Sequence, residues 1–243
     1  MIILLASSRA MEQKPEDNLK TPVLFSKAQE LLSVIKEKSK ADMKEIWKCS
    51  DKNLDSYYQE LQNLFLDGNL TMAIKSYKGV VYRQFQDLLD NREVFSYLDE
   101  HLRIISALYG VLKASDGICP YRLEMAAPLK INGANLYRFW NYLIYEECRS
   151  DFIINLSSEE YGKCIRDYLN EDDIMIDIDF LQESEKGLKR ISTKMKEARG
   201  QMLRYLALNR VESIEEIKGF DYDGYIYNDE LSSDHKLVFI KHY

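Results

Sequence analysis

The stretch HLRIISALYGVLKASDGICPYRLEM, residues 101–125, decides the fold of this chain. Residues 104–108 predict a buried strand, and the turn-forming residues 115–117 follow it. Arg122 and Glu124 come next, near a strand end, where single-domain α/β proteins often place their ligands. The segment therefore predicts a central strand and charged residues beside a binding site.

Similar patterns continue on both sides of this stretch. Apolar runs predict further strands, at residues 2–6, 152–156, 174–181, 187–192, 222–228 and 236–241. Amphipathic periodicity predicts helices, at residues 24–38, 42–48, 51–66, 135–149 and 194–210. Strands interleaved with helices indicate a mixed β-sheet flanked by helices, an α/β or α+β fold.

Composition indicates an ordinary globular protein. The 243 residues are 46% hydrophobic and 30% charged, with 4 prolines, and no linker-like segment divides them, so we expect a single domain over residues 1–243. The apolar opening at residues 2–6 is too short for a signal peptide, and no run approaches the roughly 20 residues of a membrane span. We expect a cytoplasmic monomer with no membrane partner.

Metal-binding patterns do not occur in this sequence. The four cysteines are widely spaced and form no C-x-x-C pair, and the three histidines lack His-x-x-x-His spacing. We therefore expect no metal site, no cofactor and free structural thiols, at Cys49, Cys119, Cys148 and Cys164.

Positive charge concentrates in one block although the net charge is −7. Residues 186–210 hold eight basic residues against the single acid Glu197. On a helix, Lys196, Arg199 and Arg210 fall within roughly 60° of one another, with Arg199 at the border of a buried stripe. The block predicts an anion-binding face, or alternatively a solvated helix whose cations pair with its acidic neighbours.

Gly200 stands in the middle of this predicted helix. A glycine there costs roughly 1 kcal/mol relative to alanine. It indicates close approach of a ligand beside Arg199, or tight packing of another backbone, which is the commoner cause.

Two other segments suggest phosphate contacts. The turn between the helices predicted at 42–48 and 51–66 is surrounded by lysines, which would suit a helix-hairpin-helix contact with DNA backbone; these are Lys44, Lys48 and Lys52. That turn lacks glycine, so an ordinary helical pair is the alternative. Ser157 and Glu160 have capping-box spacing after a strand, which favours either a capped helix or an anion site at its N-terminus.

Several collinear segments resemble one known family. They are Lys78-Gly79-x-Val81-Tyr82, His101–Leu112, Pro120–Met125, Leu136-Tyr137-x-Phe139-Trp140, Ile154–Tyr161, Lys196-x-Ala198-Arg199-Gly200 and Gly219–Phe239. Together they are similar to the YaaA family, the peroxide-stress proteins of bacteria. In the last lysine-rich motif, Glu197 replaces the second lysine of the family pattern.

The resemblance implies an unusual mixed α/β fold with a basic cleft and a helix-hairpin-helix-like element. It also implies binding of duplex DNA without strong sequence preference. The physiological role that it implies is protection against hydrogen peroxide by limiting free intracellular iron.

Two functional hypotheses follow. In the first, the protein binds double-stranded DNA: Lys196 and Arg199 contact phosphates, Lys78 and Arg122 line the same basic cleft, and the hairpin lysines grip the backbone. In the second, the protein is an enzyme that acts on a small anionic substrate bearing phosphate or carboxylate. It would use Lys78, Arg122, Lys196 and Arg199 together with Glu124, Ser158 and Glu160.

No P-loop, G-x-G-x-x-G or G-x-S-x-G motif is present, so no reaction class can be named. A deep polar pocket would favour the second hypothesis, and a broad open groove the first.

Overall fold

A mixed β-sheet forms the centre of the computed structural model, which describes residues 1–185 and 187–242. Lys186, the first residue of the basic block, lies outside this range. The strands are β1 Ile2–Ala6, β2 Thr71–Met72, β3 Leu102–Ser106, β4 Gly110–Leu112, β5 Gly117–Ile118, β6 Ile153–Asn155, β7 Met175–Gln182, β8 Tyr225–Ser233 and β9 Lys236–Lys241. The helices are α1 Phe25–Lys36, α2 Lys40–Trp47, α3 Asp51–Gln62, α4 Ala73–Ser76, α5 Arg92–His101, α6 Leu136–Trp140, α7 Leu143–Glu146, α8 Glu159–Arg166, α9 Ser192–Asn209 and α10 Ile214–Lys218. An α/β fold with a mixed sheet and flanking helices is thus confirmed.

The main sheet within the described residues has seven strands in the order β4-β3-β1-β6-β7-β9-β8. Strand β1 is parallel to both β3 and β6, and the parallel run continues through β7 to β9. The two edge strands, β4 and β8, are antiparallel to their neighbours. Residues 2–5 are buried, as expected for a parallel strand covered on both faces.

The predicted strand at 104–108 is displaced towards its N-terminus in the structure. Strand β3 ends at Ser106 because the chain turns there: the Ser106 hydroxyl accepts a hydrogen bond from the Tyr109 backbone N–H at 2.9 Å. Gly110, with a φ of 74°, then pairs back with Ser106 as β4 begins. The apolar run therefore forms a strand, a turn and a second strand.

Two predicted elements are wrong. The aromatic segment 135–149 is not one helix, because Asn141 has a φ of 51° and separates α6 from α7. Residues 187–192 do not form a strand; Lys189 makes only an isolated bridge to Gln182, and the chain enters α9 at Ser192.

Helix α9 packs closely on the 3₁₀ turn Tyr82–Gln84. A methyl group added at Gly200 would overlap the Val81 carbonyl oxygen and lie 2.8 Å from the Gln84 Cβ. Of the two explanations for this glycine, the structure thus supports tight packing against another backbone.

The order of the strands creates a crevice. From β1 the chain proceeds to β3 on one side of the sheet, whereas from β6 it proceeds to β7 on the other. The carboxyl ends of β1 and β6 therefore flank a topological switch point, the place where open α/β sheets bind ligands. None of the helices in the described residues combines the length and hydropathy needed to cross a bilayer.

Candidate anion-binding site

A cavity of about 570 Å³ lies at this switch point, and we call it the switch-point cavity. Residues after β1 and β6 form one side, the loop at Lys78 a second, and helix α9 a third. Its polar lining includes Ser7, Ser8, Lys78, Ser158, Lys196 and Arg199. Both cations predicted on α9 as phosphate contacts therefore reach the same recess.

Arg199 is a cation of the cavity whose Nε is buried and has no hydrogen-bond partner among the described residues. Burial lowers the pKa of the Arg199 guanidinium, although Asp179 and Asp177 on β7 attract its charge. Those two carboxylates already have closer cations: Asp177 accepts from Arg166 at 3.0 Å, and Asp179 accepts from Arg190 at 3.0 Å.

The two lysines of the cavity differ in their surroundings. Lys196 is exposed, and no carboxylate in the described part of the chain lies within 4.0 Å of its ammonium group. Lys78 is half-buried, 3.0 Å from the Glu12 carboxylate, and donates a hydrogen bond to the Gln86 Oε1 at 3.0 Å. Lys196 is therefore available to a ligand, whereas Lys78 is partly neutralised.

Glu124 also lines the cavity, in a bidentate ion pair with Arg9. Arg9 follows strand β1, and Glu124 lies in the loop after β5, so the pair joins two distant segments. Both side chains are partly exposed. The Glu124 carboxylate thus lies at the site as predicted, but its charge is balanced by Arg9, which was not among the predicted site residues.

Ser158 and Glu160 have different environments at the start of α8. Ser158 lines the cavity as the N-cap residue, although its side chain makes no capping hydrogen bond. The Glu160 carboxylate instead accepts from the Ala126 backbone N–H at 2.9 Å. The predicted capping box is wrong, because the Ser157 hydroxyl donates to the Asn155 Oδ1 at 2.6 Å.

Arg122 lies in an adjoining cavity and not in the one lined by Lys78, Lys196 and Arg199. Its guanidinium lies 4.5 Å from the centre of the Tyr57 ring, on helix α3. The Trp47 indole N–H donates to the Arg122 carbonyl oxygen at 2.7 Å and ties this loop to α2. Arg210, predicted on the same helical face as Lys196, ends α9 far from the cavity and pairs with Glu93.

The predicted hairpin is present as two short helices, α2 and α3, joined at residues 48–50. Lys44 is paired with Asp51 at 2.6 Å, whereas Lys48 and Lys52 are exposed. Its role as a helix-hairpin-helix contact with DNA stays a prediction.

The family model for peroxide stress protein YaaA matches residues 1–231. The chain belongs to this family. The chain is also similar over most of its length to other proteins: a UPF0246 protein of Agathobacter rectalis is 44% identical over 229 residues, 92% of each chain. A UPF0246 protein of Pediococcus pentosaceus is 41% identical and covers 99% of this chain and 98% of its own length. One from Ligilactobacillus salivarius is 39% identical, covering 99% and 100%.

Four of the segments that carry the YaaA resemblance meet at the switch-point cavity. They contribute Lys78 and Gly79, then Leu123 and Glu124, then Leu156, Ser158 and Tyr161, and finally Lys196 and Arg199. These segments are far apart in the chain, so the fold alone brings them together.

Sequence reasoning missed a cluster of buried hydroxyl groups beside the cavity. The Tyr121 hydroxyl lies 2.7 Å from the Ser106 Oγ and 3.1 Å from the Tyr77 hydroxyl. The Ser7 hydroxyl donates to the Tyr161 hydroxyl at 3.4 Å, and burial raises the pKa of Tyr161. Tyrosines in apolar runs look like ordinary core residues, so the one usable signal was Ser7 directly after a buried strand.

The arrangement can hold an anion. It offers a partly desolvated guanidinium, a free ammonium group and several hydroxyl groups, which together suit phosphate or carboxylate oxygens. Among residues 1–185 and 187–242 there is no group of three or more His, Cys, Asp or Glu side chains that could hold a metal ion.

Proposed function

We propose that this YaaA-family protein binds a small phosphate- or carboxylate-bearing ligand in the switch-point cavity. The observation that carries the proposal is Arg199, whose Nε is buried without a partner among the described residues while its side chain lines the cavity. A cation that is desolvated and unpaired destabilises the folded protein. An anion in the cavity would supply the missing partner.

The half-buried position of Arg199 favours a small ligand over a DNA duplex at this cavity. Arg199 is half-buried, whereas a duplex lying across a surface meets exposed side chains most easily. A phosphate or carboxylate group small enough to enter the cavity can reach the guanidinium and accept two parallel hydrogen bonds from it. The exposed Lys196 would then attract the anion from solution.

Isothermal titration calorimetry with inorganic phosphate tests this proposal. We expect Arg199→Ala to weaken phosphate binding about tenfold or more, because a hydrogen bond to a charged group contributes roughly 1.5–3 kcal/mol. Lys194→Ala is the matched control on the same helix, since Lys194 pairs with Glu197 and does not line this cavity. Equal affinity of the wild type and Arg199→Ala would refute the proposal.

The same two variants test the physiological role. Family membership supports a role in peroxide stress, and we extend the proposal to limiting free intracellular iron. A strain lacking the gene should show more chelatable iron by electron paramagnetic resonance during peroxide exposure. Expression of Lys194→Ala in that strain should restore the normal level of chelatable iron, whereas Arg199→Ala should not. Full restoration by Arg199→Ala would mean that the switch-point cavity is not needed for this role.

Duplex DNA is the second candidate ligand, favoured by the α2–α3 hairpin. Lys48 and Lys52 are exposed on it, with no carboxylate within 4.0 Å in the described part of the chain. The hairpin also borders the loop of Arg122 through the Trp47 hydrogen bond. A duplex held by these lysines would lie beside the cavities, with its phosphates contacted independently of sequence.

A further inference from the structure

A second cavity, of about 320 Å³, adjoins the switch-point cavity; we call it the aromatic cavity. Residues of α1, α2, α3 and the loop after β5 line it. Arg9, Ala10 and Leu123 belong to the walls of both cavities. A narrow recess of about 10 Å³, lined by Ser8, Arg9, Trp47, Arg122 and Glu124, shares lining residues with both cavities.

The aromatic cavity offers a flat platform for a ring. Trp47 and Tyr57 meet edge to face, with ring centres 6.1 Å apart, and the Arg122 guanidinium already covers one face of the Tyr57 ring at 4.5 Å. Aromatic rings and guanidinium planes are the groups on which proteins stack nucleobases. Glu60 is also in the lining and can accept a hydrogen bond from a ring edge.

The Arg9–Glu124 ion pair lies where the two cavities approach each other. Arg9 lines both cavities, and Glu124 lines the switch-point cavity and the recess. Their side chains retain 60% and 36% of their exposure, so solvent screens this bidentate pair. An anionic ligand would compete with Glu124 for Arg9, and movement of Arg9 would open a path for one molecule to reach both cavities.

We infer that the ligand of this site is a nucleoside monophosphate. Its phosphate binds Arg199 and Lys196 in the switch-point cavity, and its base stacks on the Arg122–Tyr57 pair in the aromatic cavity. The ribose passes the Arg9–Glu124 pair. This inference rests on the proposed function and adds the class of ligand.

Calorimetry with a graded set of probes tests the inference: inorganic phosphate, ribose 5-phosphate, adenosine and the four common ribonucleoside monophosphates. We expect at least one monophosphate to bind about tenfold tighter than ribose 5-phosphate, because a stacked base adds this much. If ribose 5-phosphate binds as tightly as every monophosphate, the inference is wrong and the anion site stands. If no phosphate compound binds, both fail.

A pair of neighbouring tyrosines supplies a matched control. Tyr57→Ala should weaken binding of the best monophosphate about tenfold and leave ribose 5-phosphate unchanged. Tyr58→Ala should change neither, since Tyr58 donates to the Lys38 carbonyl oxygen and does not line the aromatic cavity. Circular dichroism checks that both variants fold. Quenching of Trp47 fluorescence by the monophosphate is a second measurement, and unchanged nucleotide affinity in Tyr57→Ala would overturn the base position.

Discussion

Arg199 shows how far a single residue can be understood before its structure is known. Helical spacing placed it at the edge of a buried stripe, and its half-buried side chain agrees with that position. That its Nε has no partner among the described residues could not be predicted, because Arg166 and Arg190 pair with the nearby carboxylates of Asp177 and Asp179. Competition among charges from distant segments has no local signal in the sequence.

Asp116 carries a pH prediction at the same scale. Its carboxylate accepts from the Lys113 backbone N–H at 2.8 Å, and burial, with a smaller contribution from the Asp99 charge, raises its pKa from 3.8 to about 6. Between these two values the folded protein binds more protons than the unfolded chain. Protonation of Asp116 therefore raises the free energy of unfolding as the pH falls through 6. When the Asp116 carboxylate is fully ionised, it lowers that free energy by on the order of 3 kcal/mol.

Asp116→Asn should remove this dependence. Urea unfolding should show the variant on the order of 3 kcal/mol more stable than the wild type at pH 7.5, with the difference shrinking towards zero near pH 4. The exposed Asp234, replaced by asparagine, should show no such trend. A constant difference between Asp116→Asn and the wild type at both pH values would contradict the assigned pKa.

At the scale of elements, the packing of helix α9 on residues 81–84 makes Gly200 irreplaceable. Gly200→Ala would improve helix propensity by about 1 kcal/mol. The added methyl group, however, would collide with the Val81 carbonyl oxygen, which is backbone and cannot rotate away. We expect a net loss of about 1–3 kcal/mol in the free energy of unfolding, measured by urea titration.

Gly68→Ala is the control for this prediction, because no atom lies within 4 Å of a methyl group added there. It should leave the free energy of unfolding nearly unchanged. Gly200→Ala should also weaken phosphate binding, since displacing α9 displaces Arg199. A Gly200→Ala protein as stable as the wild type would mean that the contact with Val81 relaxes without cost.

Elements with a purely local cause were predictable from the sequence. Strands β1 and β9 were predicted with their observed ends, and β6 and β7 within one residue at each end, because buried apolar runs define them. Elements decided by tertiary contacts were not. The break at Asn141 follows the burial of Trp140, whose indole N–H donates to the Ala107 carbonyl oxygen at 3.0 Å. Ser157 was drawn away from its predicted capping role by the Asn155 side chain.

For the molecule as a whole, the fold class was predictable and the strand order was not. Alternating strands and helices indicate an α/β fold, but several crossovers are compatible with one sequence pattern. The position of the switch point, and thus of the cavity, follows only from the observed order. Because the strand order could not be predicted, the cations expected in one cleft in fact line two adjoining cavities: Lys78, Lys196 and Arg199 line one, and Arg122 lines the other.

Binding of duplex DNA is a property of the whole surface and is tested by salt dependence. Reversing Lys48 and Lys52 to glutamate should weaken binding to all sequences alike. It should also lower the slope of log affinity against log salt by about 2, since each lost phosphate contact removes about 0.9. Fluorescence anisotropy with a labelled duplex measures both quantities.

The control for the DNA prediction is a charge-matched reversal of Arg92 and Lys113, two exposed residues that line neither the switch-point nor the aromatic cavity. If both double variants lose affinity equally, attraction is a general effect of net charge and the hairpin is not the contact surface.

The hydrogen bond from the Trp47 indole to the Arg122 carbonyl oxygen has a mechanical consequence. It fastens helix α2 to the loop that walls both cavities, so a displacement of either one is transmitted to the other. A small molecule in the cavities and a nucleic acid bound at α2 would thereby affect each other's binding. By thermodynamic reciprocity, each would change the affinity for the other by the same factor.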